Sequence, residues 1–207
     1  MKLTSESKFL FGIVLATAAV VAIAVVAFSR PPKSLNREEL VPVGTHTLGN
    51  PQARVFLVEF SDFQCPACAA FAPVIEQLLR NNPDKLWFAY RHYPLPQHTL
   101  AKPAARAAEA AGLQDKYWEM HNLLFKNQKD LSPALFTQLA QSLQLDLARF
   151  TNDMASSGIQ TKIDADVLYG DKLDLNATPT FYLNGVKLEL NTPDDLEKTV
   201  KEQIINK

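Results

Sequence analysis

Two cysteines, Cys65 and Cys68, form the most reactive pattern in this sequence. They are the only cysteines among its 207 residues, so each has only the other as a disulfide partner within the chain. We expect a helix to begin here, with Cys65 at its N-cap, Pro66 at its first position and Cys68 one turn later. This spacing places both sulfurs on one side of the helix start, where a small adjustment would let them form a disulfide.

The start of a helix would also make Cys65 reactive. Unpaired backbone N–H groups and the helix dipole stabilise a negative sulfur there, so the pKa of Cys65 should fall below its ordinary value of about 8.5. A thiolate at this position attacks or leaves readily in exchange reactions, and Cys68 then resolves the mixed disulfide.

Two structural alternatives for the cysteine pair stay open. The pair could staple a surface turn, or it could supply half of a metal site. A metal site would need two more ligands, and the histidines show no paired spacing. The four histidines are His46, His92, His98 and His121.

Glu59 is the second residue whose type and place suggest chemistry. It interrupts an apolar run at residues 55–60, and we interpret residues 54–60 as a central strand buried on both faces. Because a carboxylate there is costly to desolvate, its pKa should be raised, and burial suggests a role in proton transfer. Alternatively, Glu59 turns toward solvent or pairs with Arg54 or Arg91.

The elements that would position these residues form an α/β unit. The strand at residues 54–60 is followed by a helix at 65–80, which the Asn-Asn-Pro sequence at 81–83 ends. A second apolar strand at 86–93 completes a βαβ unit with a right-handed crossover.

The second half of the chain predicts an inserted helical subdomain and a final hairpin. Residues 100–174 are rich in alanine and leucine at helical spacing. Strands at 180–183 and 186–190 flank the turn dipeptide Asn184-Gly185, and Thr192-Pro193 opens a last helix. The predicted fold class is therefore α/β, a small mixed sheet with helices on both faces.

The N-terminal region predicts a membrane anchor. Residues 9–28 are apolar and uncharged, and about 20 such residues suffice for a helix to cross a bilayer. The alternative is a cleavable signal peptide, cut near the small residues Ala27 and Ser29, but the length of the apolar run favours the uncleaved anchor. Basic residues lie on both sides of this segment, so charge does not decide its orientation in the membrane. The long C-terminal domain favours an orientation in which the C-terminal side is exported.

The predicted organisation has four parts. A short tail covers residues 1–8, a transmembrane signal-anchor helix 9–28, a linker 29–45 and one domain 46–207. The net charge of -1 and the absence of a basic run argue against a nucleic-acid partner. No motif implies a metal or an organic cofactor.

Several separated motifs resemble the DsbA-like thioredoxin-fold thiol-disulfide oxidoreductases. Residues 58–68 read VEFSDFQCPAC and residues 177–181 read ATPTF, with AARAAEAA at 104–111 and YWEMH at 117–121 between them. The resemblance runs from about residue 46 to the C-terminus. It implies a thioredoxin fold with a helical insertion at about 100–174, and a redox-active disulfide between Cys65 and Cys68.

The resemblance also implies roles for particular residues. Cys65 would be the exposed nucleophile and Cys68 the buried resolving thiol. Pro179 would be a cis-proline beside the disulfide, and Thr178 would present backbone groups to the bound substrate. The alternative for Pro179 is a trans proline that begins a strand. Glu59 would accept the proton of Cys68.

The predicted function is that of a membrane-anchored protein-disulfide oxidoreductase with its catalytic domain on the extracytoplasmic face, periplasmic or extracellular. Its substrates would be exported thiol-containing polypeptides, and a quinone-linked membrane partner would reoxidise it. Ala67 stands where other members of the family place histidine, which puts the oxidising strength in doubt and keeps a reductase or isomerase as an alternative. A third hypothesis is a thioredoxin-fold adaptor or chaperone without catalytic activity.

Overall fold

The computed structural model describes residues 11, 13–22 and 34–206. The chain divides into two compact units between residues 33 and 34. In the first unit, residues 11 and 13–22 are helical, and the remainder of the predicted anchor at 9–28 lies outside the described residues. Over the stretches that the structure describes, no helix has both the length and the apolar character that crossing a membrane requires.

The second unit contains a five-stranded sheet in the order β1-β3-β2-β4-β5. Its strands are β1 (His46–Gly49), β2 (Val55–Ser61), β3 (Leu86–His92), β4 (Thr180–Leu183) and β5 (Val186–Lys187). β2 and β3 are parallel, and the other three pairings are antiparallel. Every residue of β2 is buried, as expected of a central strand covered on both faces.

Helices surround this sheet. They are α1 (Arg37–Leu40), α2 (Pro66–Asn81), α3 (Ala101–Gly112), α4 (Tyr117–Lys126), α5 (Pro133–Ser142), α6 (Leu147–Met154), α7 (Ser157–Lys172) and α8 (Pro193–Ile205), with a short 3-10 turn at Gln128–Asp130. α2 joins β2 to β3 and confirms the predicted βαβ unit. α3 to α7 form the predicted helical insertion.

Neighbouring residues of β2 alternate between two apolar cores. Leu57 packs in the larger core with side chains of α2, α3 and α8, whereas Val58 packs in a smaller core with Leu40 of α1. This alternation follows from the period of two in a strand. The predicted arrangement of helices on both faces of a mixed sheet is confirmed.

The folded body begins at Ser34, earlier than the predicted start at residue 46. In α1, Leu40 is fully buried, and the guanidinium of Arg37 lies 4.9 Å from the centroid of the Phe56 ring. The backbone N–H of Leu35 donates to the carbonyl of Gly185 over 2.9 Å. The sequence did not predict this packing, because the segment is polar in composition and its contact partners are far away in sequence.

The predicted turn at Asn184-Gly185 is present between β4 and β5, with φ values of 51° and 86°. Gly185 is needed for a second reason, since an added Cβ would lie 2.2 Å from the carbonyl oxygen of Leu35. β5 ends at Lys187, three residues before the predicted end at 190.

Candidate active site

The two cysteines lie at the start of α2, as their spacing predicted. Cys65 is the N-cap residue, in an extended conformation, and Cys68 lies in the first turn. Both are present as thiols. Cys68 has no exposed surface and Cys65 retains 7 %. Cys65 is therefore the outer of the two sulfurs, although it is buried more deeply than the exposed nucleophile that the resemblance implied.

The two thiols have opposite pKa shifts. Hydrogen bonding with the Cys68 thiol is the largest influence that lowers the pKa of Cys65, to about 5, and Thr178 and the backbone N–H groups of Ala67 and Cys68 contribute less. Burial is the main reason why the pKa of Cys68 is raised well above its ordinary value, followed by the hydrogen bond with Cys65 and the charge of Glu59. At neutral pH, Cys65 is a thiolate and Cys68 keeps its proton.

The backbone N–H groups at the helix start thus act as predicted, but they are not the main cause. The larger influence on Cys65 is its own partner thiol. A sulfur anion that accepts a hydrogen bond from Cys68 is stabilised at the position where exchange begins.

The loop before β4 lies directly beside Cys65. The peptide bond between Thr178 and Pro179 is cis, which confirms that prediction and makes the trans alternative wrong. The sulfur of Cys65 lies 3.2 Å from the carbonyl oxygen of Thr178. Thr178 and Pro179 also line a cavity of about 330 Å³ that reaches Ala67.

Glu59 is buried below the two cysteines, with 2 % of its surface exposed. Its Oε1 accepts a hydrogen bond from the Ser61 hydroxyl over 2.7 Å. Burial raises the pKa of Glu59 to about 8, Ser61 opposes this shift, and the charge of Cys65 adds to it. The alternative of a solvent-facing Glu59 is wrong, and Arg91 pairs instead with Asp166, over 2.8 Å. Glu59 can therefore hold a proton at neutral pH and release it slightly above.

Asp62, which the sequence did not single out, holds the loop between β2 and α2. Its buried carboxylate accepts hydrogen bonds from the backbone N–H groups of Gln64 (2.7 Å) and Leu95 (2.8 Å). It also lies 2.7 Å from Nδ1 of His98. The bond to Gln64, two residues on, is of a local kind that the sequence could have suggested.

Gln128 holds the same loop from the helical insertion. Its Nε2 donates to the carbonyl oxygens of Phe63 (2.8 Å) and Cys65 (2.9 Å). No signal in the sequence links Gln128 to Cys65, because 63 residues separate them.

A second buried carboxylate, Glu109 of α3, gathers two of the histidines. Its Oε1 lies 2.9 Å from His92, and its Oε2 lies 3.0 Å from His46 and 2.7 Å from Nζ of Lys162. Burial is the largest single influence and would raise the pKa of Glu109, but the hydrogen bonds and charges of His46 and His92 together hold it well below its ordinary range. Across the described residues, no three His, Cys, Asp or Glu side chains form a group that could hold a metal ion.

Comparison with known proteins agrees with this geometry. A family model described as thioredoxin matches residues 42–202. Over 161 residues, 75 % of this chain, the sequence is 37 % identical to the Na(+)/H(+) antiporter NhaA 1 of Mycolicibacterium gilvum, but the match covers only 26 % of that protein. The chain spans about a quarter of the length of the curated relatives that it matches.

Solved structures extend the similarity to the fold. A thioredoxin-like oxidoreductase from Silicibacter pomeroyi DSS-3 is 26 % identical, with a TM-score of 0.70 over 84 % of this chain and 99 % of that one. The thiol-disulfide exchange protein alpha-DsbA2 from Wolbachia pipientis is 20 % identical, with a TM-score of 0.71 over 81 % and 91 % of the two chains. The chain therefore belongs to the thioredoxin family, and the DsbA-like resemblance of its motifs is confirmed.

Proposed function

We propose that the chain is a protein-disulfide oxidoreductase that works through Cys65 and Cys68 and oxidises dithiols in exported proteins. The observation that carries this proposal is the pair of cysteines at the start of α2, with the carbonyl oxygen of Thr178 3.2 Å from the Cys65 sulfur. The opposite pKa shifts of the two thiols and the buried Glu59 support it.

The reaction in the oxidising direction follows from this arrangement. A substrate thiolate attacks the sulfur of Cys65 in the disulfide, the bond to Cys68 breaks, and Cys68 leaves as a thiolate that takes the proton of Glu59. A second substrate thiolate then attacks the substrate sulfur of the mixed disulfide. The substrate leaves with a disulfide, Cys65 leaves as a thiolate, and two electrons have passed to the protein.

The low pKa of Cys65 favours this direction over the reductase or isomerase alternative. A stabilised Cys65 thiolate stabilises the reduced protein, which makes the disulfide a stronger oxidant and Cys65 a better leaving group. The pKa of Cys65 is low without the histidine that Ala67 replaces, and the hydrogen bond with Cys68 is the largest influence that lowers it.

Thr178 and Pro179 are proposed to bind the substrate chain. Their cavity of about 330 Å³ is also lined by Ala67, and Phe71 and Phe181 in its wall offer apolar contacts to an unfolded polypeptide. The backbone of Thr178, whose carbonyl oxygen lies 3.2 Å from the Cys65 sulfur, is placed to pair with an extended strand.

We also propose that the protein is a single-pass membrane protein with its catalytic domain outside the cytoplasm and a quinone-linked membrane partner that reoxidises it. The apolar, uncharged run at residues 9–28 supports the anchor. An extracytoplasmic compartment suits a protein disulfide oxidase, because thiols in the cytosol are kept reduced.

Refolding of reduced ribonuclease by the full-length protein tests the activity. With glutathione disulfide as the oxidant, we expect Cys65→Ser to lower the rate to that of the uncatalysed reaction. Cys68→Ser should accumulate a mixed disulfide with the client, because glutathione disulfide first forms a mixed disulfide with Cys65 and a client thiolate then attacks the Cys65 sulfur and displaces glutathione. Alkylation of the reduced protein with iodoacetamide should show Cys65 ionising with a midpoint near pH 5. A midpoint near 8.5, or equal refolding rates for wild type and Cys65→Ser, would contradict the proposal.

A second candidate is an adaptor module of a membrane protein, without turnover. The observation in its favour is the similarity to one segment of a Na(+)/H(+) antiporter, a chain with a transport function. If Cys65→Ser and Cys68→Ser behave like wild type in refolding and no mixed disulfide forms, this candidate replaces the first.

A further inference from the structure

Two buried aromatic side chains, Tyr90 and His121, lie in ring contact, and each carries a polar atom without a hydrogen-bond partner in the part of the chain that the structure describes. Among the described residues, the hydroxyl of Tyr90 and Nε2 of His121 have no partner. Tyr90 is 1 % exposed and His121 6 %. Their rings are perpendicular, with centroids 4.7 Å apart. An unpaired buried polar group costs folding free energy, so two together call for a reason.

The two atoms are complementary. Nδ1 of His121 lies 2.9 Å from Oδ1 of Asn122, an oxygen that only accepts hydrogen bonds, so Nδ1 carries the proton. Nε2 is then an acceptor without a donor. The hydroxyl of Tyr90 is a donor without an acceptor, on a ring whose centroid lies 4.7 Å from that of His121.

Tyr90 also adjoins the proposed proton acceptor. It lies on β3 directly opposite Glu59 of β2, and Ser61, which donates to Glu59 over 2.7 Å, lies two residues further along β2. Burial is the main reason why the pKa of Tyr90 is raised well above its ordinary value. The charges of Tyr117, Glu59 and Cys68 add to this shift, and the Ser61 hydroxyl opposes it. Tyr90 is therefore neutral and lies within electrostatic reach of both groups between which the proton moves.

On its other side, His121 adjoins a surface cavity of about 170 Å³ between α2, α4 and the sheet. Asn122 is exposed at this cavity. The walls are mainly apolar and include Leu48, Ile75, Phe88 and Trp118. Solvent thus comes close to Nδ1 of His121 at a point away from the substrate cavity that Thr178 and Pro179 line.

We propose that Tyr90 and His121 carry the proton between Glu59 and the solvent of this cavity during each exchange reaction. The inference rests on the proposed function. When Cys68 must lose its proton, Glu59 takes it and passes a proton to Tyr90, whose hydroxyl passes its own to Nε2 of His121, and the proton on Nδ1 leaves at Asn122. One proton crosses, no electron moves, and the return of the imidazole to its first tautomer resets the path.

The surroundings keep His121 uncharged while it does so. Burial is the main reason why the pKa of His121 is lowered to about 4, and the neighbouring His92 and His46 lower it further, against the effect of Asn122. Tyr117 and Trp118 also face its ring, at 6.2 and 5.1 Å between centroids. A neutral imidazole can accept and donate at the same time without trapping the proton.

The test follows the step in which Cys68 resolves a mixed disulfide. Reduced full-length protein is mixed with a model peptide disulfide, samples are quenched with acid, and the mixed disulfide on Cys65 is followed by mass spectrometry. We expect Tyr90→Phe to slow resolution by at least about tenfold, since proton transfer contributes factors of this size or larger. The initial attack by Cys65 and the pH midpoint of its alkylation should not change.

Tyr117→Phe is the matched control. It removes another buried hydroxyl, from a ring 6.4 Å from that of Tyr90, and should leave resolution unchanged. His121→Ala should slow resolution as Tyr90→Phe does, and imidazole added to the buffer should restore the rate through the enlarged cavity. A smaller solvent deuterium effect on resolution in Tyr90→Phe than in wild type would show that a transferred proton no longer limits the same step.

Resolution at the wild-type rate in Tyr90→Phe, equal slowing in Tyr117→Phe, or no response of His121→Ala to imidazole would each overturn the relay. These outcomes differ from a failure of the proposed function, in which wild-type protein forms no mixed disulfide on Cys65.

Discussion

Two glutamates of this protein are buried to nearly the same degree and have opposite acid strengths. Glu59 of β2 is 2 % exposed and Glu109 of α3 is 4 % exposed. The pKa of Glu59 is raised to about 8 by burial, with a single hydroxyl partner, Ser61, to oppose it. Glu109 contacts His46, His92 and Lys162, and its pKa is held well below its ordinary range despite burial.

The difference shows that burial alone does not decide what a buried carboxylate does. Glu109 stays charged, joins α3 to α7 through its ion pair with Lys162 and to β1 and β3 through hydrogen bonds with His46 and His92, and so has a structural role. Glu59 forms no ion pair with any residue that the structure describes, keeps its proton at neutral pH and acts electrostatically on Cys68, so it can exchange that proton. The groups that contact each carboxylate, more than its burial, distinguish the structural acid Glu109 from the proposed catalytic acid Glu59.

Removal of Glu109 should have the largest effect on stability. Glu109→Ala leaves Lys162, His46 and His92 without their shared anion, and loss of one member of a buried ionic group costs about 3–5 kcal/mol of unfolding free energy. Urea unfolding of the full-length protein at pH 7 measures it. Because the folded pKa of Glu109 lies below its unfolded value of about 4.5, its contribution is present above that pH. The gap between variant and wild type should therefore narrow below pH 4.5, and a gap of the same size in acid would contradict the assignment.

Replacement of Glu59 should change the unfolding free energy in the opposite direction, making the protein more stable at neutral pH. The folded pKa of about 8 exceeds the unfolded value of 4.5, so the folded state binds more protons, and wild-type stability falls as the pH rises from about 4.5 to 8. Glu59→Gln keeps an acceptor for Ser61 and avoids this loss. It should be more stable than wild type by about 3 kcal/mol at pH 7 and by little at pH 4.5. Destabilisation by the same amount at both pH values would show that Glu59 is a structural acid like Glu109.

The smallest effect is expected from an uncharged contact at the same site. Gln128→Ala removes two neutral hydrogen bonds, to the carbonyl oxygens of Phe63 and Cys65. We expect a loss of about 1–2 kcal/mol in unfolding free energy, independent of pH between 5 and 8. A loss as large as that of Glu109→Ala would mean that the active-site loop depends on neutral contacts as strongly as the helical insertion depends on charge.

The sequence predicted those parts of the fold that local patterns encode. The apolar run of β2, the helical pattern of α2 and the Asn184-Gly185 turn can each be recognised from about ten neighbouring residues. The structure places the ends of β2 and α2 within one residue of the prediction, whereas β5 ends three residues before its predicted end. β1 was missed. It is a half-exposed edge strand of four residues, whose pairing with β3 gives no alternating apolar pattern.

For the active site, type and spacing predicted the cysteine pair and the buried acid, and the resemblance to a known family predicted the cis-proline. It did not predict Tyr90, His121 or Gln128, whose relevance depends on which residue lies opposite another. Tyr90 resembles any aromatic strand residue until the register of β2 and β3 puts it across from Glu59. The predicted cause of the low pKa of Cys65 was incomplete for the same reason, since it omitted the hydrogen bond with Cys68.

The early start of the folded body has a practical consequence for anyone who prepares this domain in isolation. A fragment cut at residue 46 would lack Leu40, leaving a hole in the smaller core beside Val58, and would uncover the backbone of the β4–β5 turn that Leu35 caps. Cleavage upstream of Ser34 keeps both. With a fragment that starts at residue 46, low activity or aggregation could result from the missing core residues alone. With a fragment that starts upstream of Ser34, the same result would reflect the chemistry of the protein.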